Sequence, residues 1–214
     1  MLAFVKTANK QAGDTLIEVL FAIVIFSLIV VSSIMLMNQG IASSQRSLQI
    51  TAARQQMDGQ AETLRFLHES YVEAYQPGAT SYPAGSPAAE YYKIIQFAQA
   101  GGRASASEFG GATECAVPAD PGKDFILNPV TATLVTTAMK STVFQQADGF
   151  AEVTFTAGNV LDQSRGIWVE AVRSGTATAS AGYIDFHIRA CWDAPGTNLP
   201  MNLGTIVRLY EPRG

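Results

Sequence analysis

The most constraining feature of this 214-residue chain is an uncharged apolar run close to its N-terminus. Residues 19–37 contain no charged residue, proline or glycine, and only Ser27, Ser32 and Ser33 add polar side chains. A helix of about 20 apolar residues, rising about 1.5 Å per residue, spans the ~30 Å hydrocarbon layer of a bilayer. The run therefore predicts a transmembrane helix, with residues 16–37 as its membrane and assembly segment.

The basic residues on either side of this run indicate its orientation. Lys6 and Lys10 precede it, and the next basic residue is Arg46. Because cytoplasmic flanks carry the excess of Lys and Arg, we expect a cytoplasmic N-terminus and a single pass through the inner, or cytoplasmic, membrane. A secretory signal peptide is the alternative, but its apolar region is about 7–15 residues long and ends at a small-residue cleavage site. Residues 38–43 offer only a weak site of that kind.

Glu18 is the only charged residue of the membrane and assembly segment. A carboxylate inside hydrocarbon costs roughly a few kcal/mol, so a residue placed in this way usually serves a function. The alternative interpretation is that Glu18 only extends its carboxylate towards the membrane interface of an ordinary signal anchor.

The N-terminal sequence resembles the class III signal of type IV prepilins and type II secretion pseudopilins. The similarity lies in Gly13, in the stretch TLIEVL at residues 15–20 and in the apolar run after it, about the first 35 residues in all. In that family a prepilin peptidase cleaves after the glycine and methylates the new N-terminus. The resemblance therefore implies cleavage between Gly13 and Asp14, N-methylation of Asp14, and a role for Glu18 in assembly. Asp14 stands where the family usually has Phe or Met, and the family's usual transmembrane proline is missing.

The resemblance implies partners and a location as well. The subunit would be stored in the membrane and then added by the pilus assembly machinery to a homo- or hetero-oligomeric filament with other pilins. In such a staggered filament the carboxylate of Glu18 can pair with the free amine at Asp14 of a neighbouring subunit, since both charges are costly in lipid. We therefore expect a structural subunit of an extracellular type IV pilus-like filament on the cell surface, serving adhesion, motility or DNA uptake. The alternatives are a type II secretion pseudopilin and, outside this family, a signal-anchored extracellular binding module.

Residues 41–75 keep a helical composition after the membrane segment, with apolar residues at three- and four-residue steps. This stripe consists of Met57, Ala61, Leu64, Leu67 or His68, Tyr71 and Ala74. The spacing predicts one long helix from residue 14 to about residue 75, which has Gly40 as its first point for a bend and ends before Pro77-Gly78. Residues 1–13 are then a cleaved leader, and residues 76–214 form a globular head.

Within the head, the periodicity changes from helical to alternating along the chain. Residues 76–87 are typical of a loop and residues 90–100 of a short helix. From residue 125 onward, alternation with a period of two predicts strands at residues 150–156, 167–172, 183–192 and 206–210. A long N-terminal helix followed by strands indicates an α+β fold, with the helix packed on a C-terminal antiparallel sheet.

Cys115 and Cys191 are the only cysteines of the chain. An even number of cysteines in an oxidising compartment favours one disulfide, and two reduced thiols are the alternative. His68 and His187 are isolated in sequence and are interpreted as packing or surface residues, so we expect no metal ion and no cofactor.

Motifs and charge exclude other classes of function. No GxSxG, HExxH or phosphate-loop pattern occurs, so an enzyme is not expected. The net charge is −4 and Lys and Arg form no cluster, so no direct nucleic-acid site is expected. Tyrosines gather where the long helix meets the following loop and helix, at Tyr71, Tyr75, Tyr82, Tyr91 and Tyr92. We interpret them as packing residues, with an adhesive surface as the alternative.

Overall fold

The computed structural model describes residues 14–101, 115, 118, 122–174, 182–194 and 200–212. The chain divides into two compact units, Met1–Gln45 and Arg46–Gly214. The helices are α1 (Asp14–Ala74) and α2 (Pro87–Gly101). The strands are β1 (Asp124–Asn128), β2 (Thr133–Thr136), β3 (Phe144–Gln145), β4 (Glu152–Phe155), β5 (Leu161–Arg165), β6 (Ile167–Ser174), β7 (Tyr183–Asp193) and β8 (Pro200–Tyr210).

In the first unit, the described residues all belong to helix α1. The absence of proline and the run of apolar side chains favour a continuous helix, which satisfies its own backbone hydrogen bonds. The helix continues through Gly40 without a break, so the sequence position considered for a bend is an ordinary helical position.

In the second unit, the rest of α1 buries one stripe of side chains. Its buried apolar members are Ala53, Met57, Ala61, Leu64, Leu67 and Tyr71. The predicted stripe is therefore confirmed, except at its last member, because Ala74 ends the helix and is exposed.

A buried glutamine connects this helix to the sheet. Gln60 is 1% exposed, and its side-chain amide donates to the carbonyl of Leu127 at 2.8 Å. The amide N–H of Leu127 donates back to Oε1 of Gln60 at 2.9 Å. Strand β1 pairs with β6 only at Asp124 and Phe125, so the glutamine side chain takes the place of a neighbouring strand for Leu127.

The main sheet has five antiparallel strands in the order β2-β1-β6-β7-β8. Strand β7 alternates as predicted, with Ile184, Phe186, Ile188 and Ala190 all 0% exposed. These side chains form one core with the buried stripe of α1. The predicted α+β fold, a long N-terminal helix on a C-terminal antiparallel sheet, is confirmed.

The sequence did not reveal every strand. A second sheet, in the order β3-β5-β4, contains the parallel pair β3–β5. Strand β1 is buried at all five positions, so it shows no alternation. Strand β8 begins at Pro200 rather than at residue 206.

Helix α2 also begins earlier than predicted, at Pro87 rather than at residue 90. Ser86 caps its N-terminus, because the Ala89 N–H donates to the Ser86 hydroxyl at 3.2 Å. Pro87 occupies the first helical position, where its missing N–H has no consequence. The Ser-Pro pair was the sequence signal for this start.

Candidate functional site

The N-terminal half of α1 presents the largest exposed apolar surface in the described chain. Large side chains here are 39–68% exposed, from Leu16 to Met37. An 18-residue window in this helix has a mean hydropathy of 3.0, and none of it is buried within the chain. By its length and composition, this helix could cross a membrane, and it is the one such helix among the described residues. Such a surface is stable only when lipid or another chain covers it.

The serines of this segment are compatible with an apolar environment. Each hydroxyl donates to the carbonyl four residues earlier: Ser27 to Ile23 at 2.7 Å, and Ser32 to Leu28 at 2.7 Å. Ser33 repeats the arrangement one residue further along at 2.8 Å. The three serine hydroxyls therefore have hydrogen-bond partners within the helix itself, which the carboxylate of Glu18 lacks among the described residues.

Glu18 lies in the first turns of α1 and is exposed. No hydrogen bond or ion pair from the described residues reaches its carboxylate. Asp14 is the first residue of the helix and precedes Glu18 by about one turn, roughly 6 Å along the axis. Gly13 lies outside the described residues. A carboxylate that has no partner among the described residues, one turn after Asp14, is chemically suited to pair with an amine of another chain.

The two histidines, His68 on α1 and His187 on β7, have different surroundings. His68 places Nε2 2.8 Å from the carbonyl oxygen of Tyr210, and its ring meets Tyr91 edge-on at 5.2 Å. His187 lies on the face of β7 opposite to the core, and burial lowers the pKa of its imidazole. Within the described ranges, no three His, Cys, Asp or Glu side chains converge to hold a metal ion.

The tyrosines pack against one another at the junction of α1 and α2. The Tyr71 ring contacts those of Tyr75, Tyr82 and Tyr91, with centroids 5.3–5.9 Å apart. Tyr82 in turn meets Tyr92 at 5.4 Å. Burial raises the pKa of the Tyr71 and Tyr91 hydroxyls, so both stay neutral at physiological pH. These contacts favour the packing interpretation.

A disulfide joins Cys115 to Cys191, with Cα atoms 5.4 Å apart and a sequence separation of 76 residues. Cys191 lies on β7 and is 2% exposed. The bridge ties Cys115 to β7, an interior strand of the main sheet. In the chain-entropy model a loop of this length stabilises the fold by about 4 kcal/mol.

Comparison with known families locates one similarity. Residues 8–34 match the family described as the prokaryotic N-terminal methylation motif. This is the class III signal of type IV prepilins, and the matched range contains Gly13, Asp14 and Glu18. No curated protein and no solved structure matches the chain.

Proposed function

We propose that this chain, which carries the N-terminal methylation motif of type IV prepilins, is a structural subunit of an extracytoplasmic type IV pilus-like filament. The motif supports a type IV pilin or pseudopilin-like precursor, and it indicates a structural protein rather than an enzyme. The observation that carries the proposal is the motif together with Glu18, which has no partner among the described residues and begins an apolar segment that is not buried within the chain.

The first step in this proposal is storage in the membrane. The apolar segment 16–37 spans the bilayer, while Lys6 and Lys10 hold the leader on the cytoplasmic side. Prepilin peptidase then cleaves between Gly13 and Asp14 and methylates the new amine. Cleavage leaves a positively charged amine about one helical turn from the Glu18 carboxylate.

The second step is addition to the filament. In the lipid-stored subunit the amine and the Glu18 carboxylate each carry a desolvation cost, and within one helix their geometry is poor. A neighbour displaced along the helix axis brings its amine to this carboxylate, and the pairing fixes the axial register as well. The exposed side chains of residues 16–37 exchange lipid for the same segments of neighbouring subunits, so assembly buries them without exposing apolar surface to water.

The test is incorporation of Glu18→Ala into sheared filaments. We expect normal cleavage of the leader but at least about a tenfold loss of the subunit from filaments, because the register pairing is removed. Glu73→Ala is the matched control, since Glu73 is an exposed glutamate near the other end of the same helix. Filament levels of Glu18→Ala equal to those of Glu73→Ala would refute the assembly role.

A further inference from the structure

The N-terminus that cleavage after Gly13 creates carries an excess of negative charge. Residues 14–45 contain two acidic side chains, Asp14 and Glu18, and no basic one. The amine at residue 14 adds one positive charge, and N-methylation leaves that charge in place. Cleavage also removes both lysines of the leader. One cation therefore faces two carboxylates at this end of the processed chain.

No other cation of the same chain lies in this region to balance the excess. The next basic residue is Arg46, 28 residues after Glu18 and beyond the membrane and assembly segment. Glu18 is exposed, and no hydrogen bond or ion pair from the described residues reaches its carboxylate. The hydroxyls of Ser27, Ser32 and Ser33 donate to carbonyls of their own helix. The N-terminus of α1 contributes about half a positive charge, which is less than one carboxylate requires.

A filament made of this chain alone would keep the excess in every subunit. Each amine serves the Glu18 carboxylate of a neighbouring copy, so no cation is left for the carboxylate of Asp14. The segment that follows is apolar and is not buried within the chain, so assembly surrounds these charges with apolar side chains of neighbouring helices. Like charges repel strongly in such a low-dielectric environment, where an unpaired carboxylate is also costly. Association of this chain with its own copies is therefore unfavourable.

We propose that this chain enters the filament next to a second, different pilin-like subunit rather than next to its own copies. Resting on the proposed function, this pairing specifies the partner by charge: its N-terminal segment carries one more cation than it has carboxylates. A free amine with no carboxylate near it meets this condition. The partner's amine then pairs with Glu18, which leaves the amine of this chain for Asp14, and all the charges at the contact are balanced.

A charge-reversed copy of the chain serves as a probe with the chemistry of this partner. The double variant Asp14→Asn/Glu18→Gln keeps the apolar segment and the amine but loses both carboxylates, so its processed N-terminal segment carries one positive charge. Wild type and double variant are produced with different C-terminal tags in cells that contain prepilin peptidase but no other pilin. Complexes are extracted from membranes in mild detergent and isolated through one tag. We expect wild type to recover at least about tenfold more of the double variant than of a second wild-type copy.

The matched control changes the same charges in the head. Asp58 and Glu62 are also four residues apart on α1, and both are exposed. Wild type should recover Asp58→Asn/Glu62→Gln no better than it recovers a second wild-type copy. Equal recovery of the control and of the charge-reversed variant would overturn the proposal.

A single added cation tests the charge balance without changing either residue at the cleaved bond. Thr15→Lys brings the processed segment to neutrality and leaves Gly13 and Asp14 in place. Differently tagged copies of this variant should recover one another at least about tenfold better than wild-type copies do. Self-recovery equal to that of the wild type would overturn the proposal.

Mass spectrometry of the N-termini in the same samples separates this proposal from the proposed function. Chains that begin at residue 14 but show equal recoveries would overturn the choice of partner and leave the filament role standing. Chains that retain Met1 would contradict both, because no amine is then formed at residue 14.

Discussion

Replacing Gln60 by Leu tests how the long helix is joined to the sheet. The glutamine side chain makes two hydrogen bonds to the backbone of Leu127, at 2.8 and 2.9 Å, in a position that is 1% exposed. Leucine has a similar size but can neither donate nor accept. The substitution therefore leaves the N–H and the carbonyl of Leu127 buried without partners.

The expected cost follows from these two groups. A buried backbone group without a hydrogen bond costs about 1–3 kcal/mol, so the two together cost about 2–6 kcal/mol. The greater hydrophobicity of leucine offsets part of this, which leaves a net loss of about 2–5 kcal/mol in the free energy of unfolding. Gln55→Leu is the control, since Gln55 is exposed on the same helix and its replacement should change stability by less than about 0.5 kcal/mol.

The assay is urea unfolding of the full chain in detergent micelles, followed by tryptophan fluorescence. Trp168 and Trp192 are the only tryptophans, and both are buried in the head at 7% and 1% exposure. Gln60→Glu adds a pH test, because only the protonated acid can both donate and accept. Burial raises the folded-state pKa of this carboxyl, so the destabilisation should be present at neutral pH and diminish as the pH falls towards about 4. A Gln60→Leu protein as stable as Gln55→Leu would refute the reasoning.

Three further predictions concern the head. Gly166 has φ +67, and a Cβ there would collide with the Cys191 carbonyl oxygen, so Gly166→Ala should lower the urea midpoint of unfolding severely. Gly204→Ala is the control, because a Cβ at Gly204 has room, and it should leave the midpoint unchanged or raised. Replacing Cys115 and Cys191 together by Ser should lower the free energy of unfolding by about 4 kcal/mol, and an unchanged urea midpoint would contradict this. Burial lowers the pKa of His187 in the folded state, so this residue destabilises the head as the pH falls below about 6.5. The variant His187→Gln should lose that part of the pH dependence of stability. Unfolding curves at several pH values would show the loss.

Local patterns in the sequence were sufficient to predict the helices and strands that bury one face. The stripe around Leu64 follows from helical spacing, and the alternation of Ile184, Phe186 and Ile188 follows from the pleat of a half-buried strand. Strand β1 escaped prediction because it is buried on both faces, and β5 because its sequence LDQSR is mostly polar.

Features that depend on distant contacts could not be read from the sequence. Gln60 was an ordinary helix residue until the structure placed it beside Leu127, 67 positions away. The parallel pairing of β3 with β5 depends in the same way on which strands become neighbours. At the N-terminus the reverse holds: the motif at residues 8–34 is local and was evident in the sequence, while the roles of Gly13, Asp14 and Glu18 remain predictions.

The N-terminus of the protein extracted from membranes tests the central claim most directly. Intact-mass and terminal-peptide mass spectrometry should show a chain that begins at Asp14, and Gly13→Glu should keep its first 13 residues. A wild-type protein that retains Met1 in cells with an active prepilin peptidase would contradict the account and favour an ordinary signal-anchored protein.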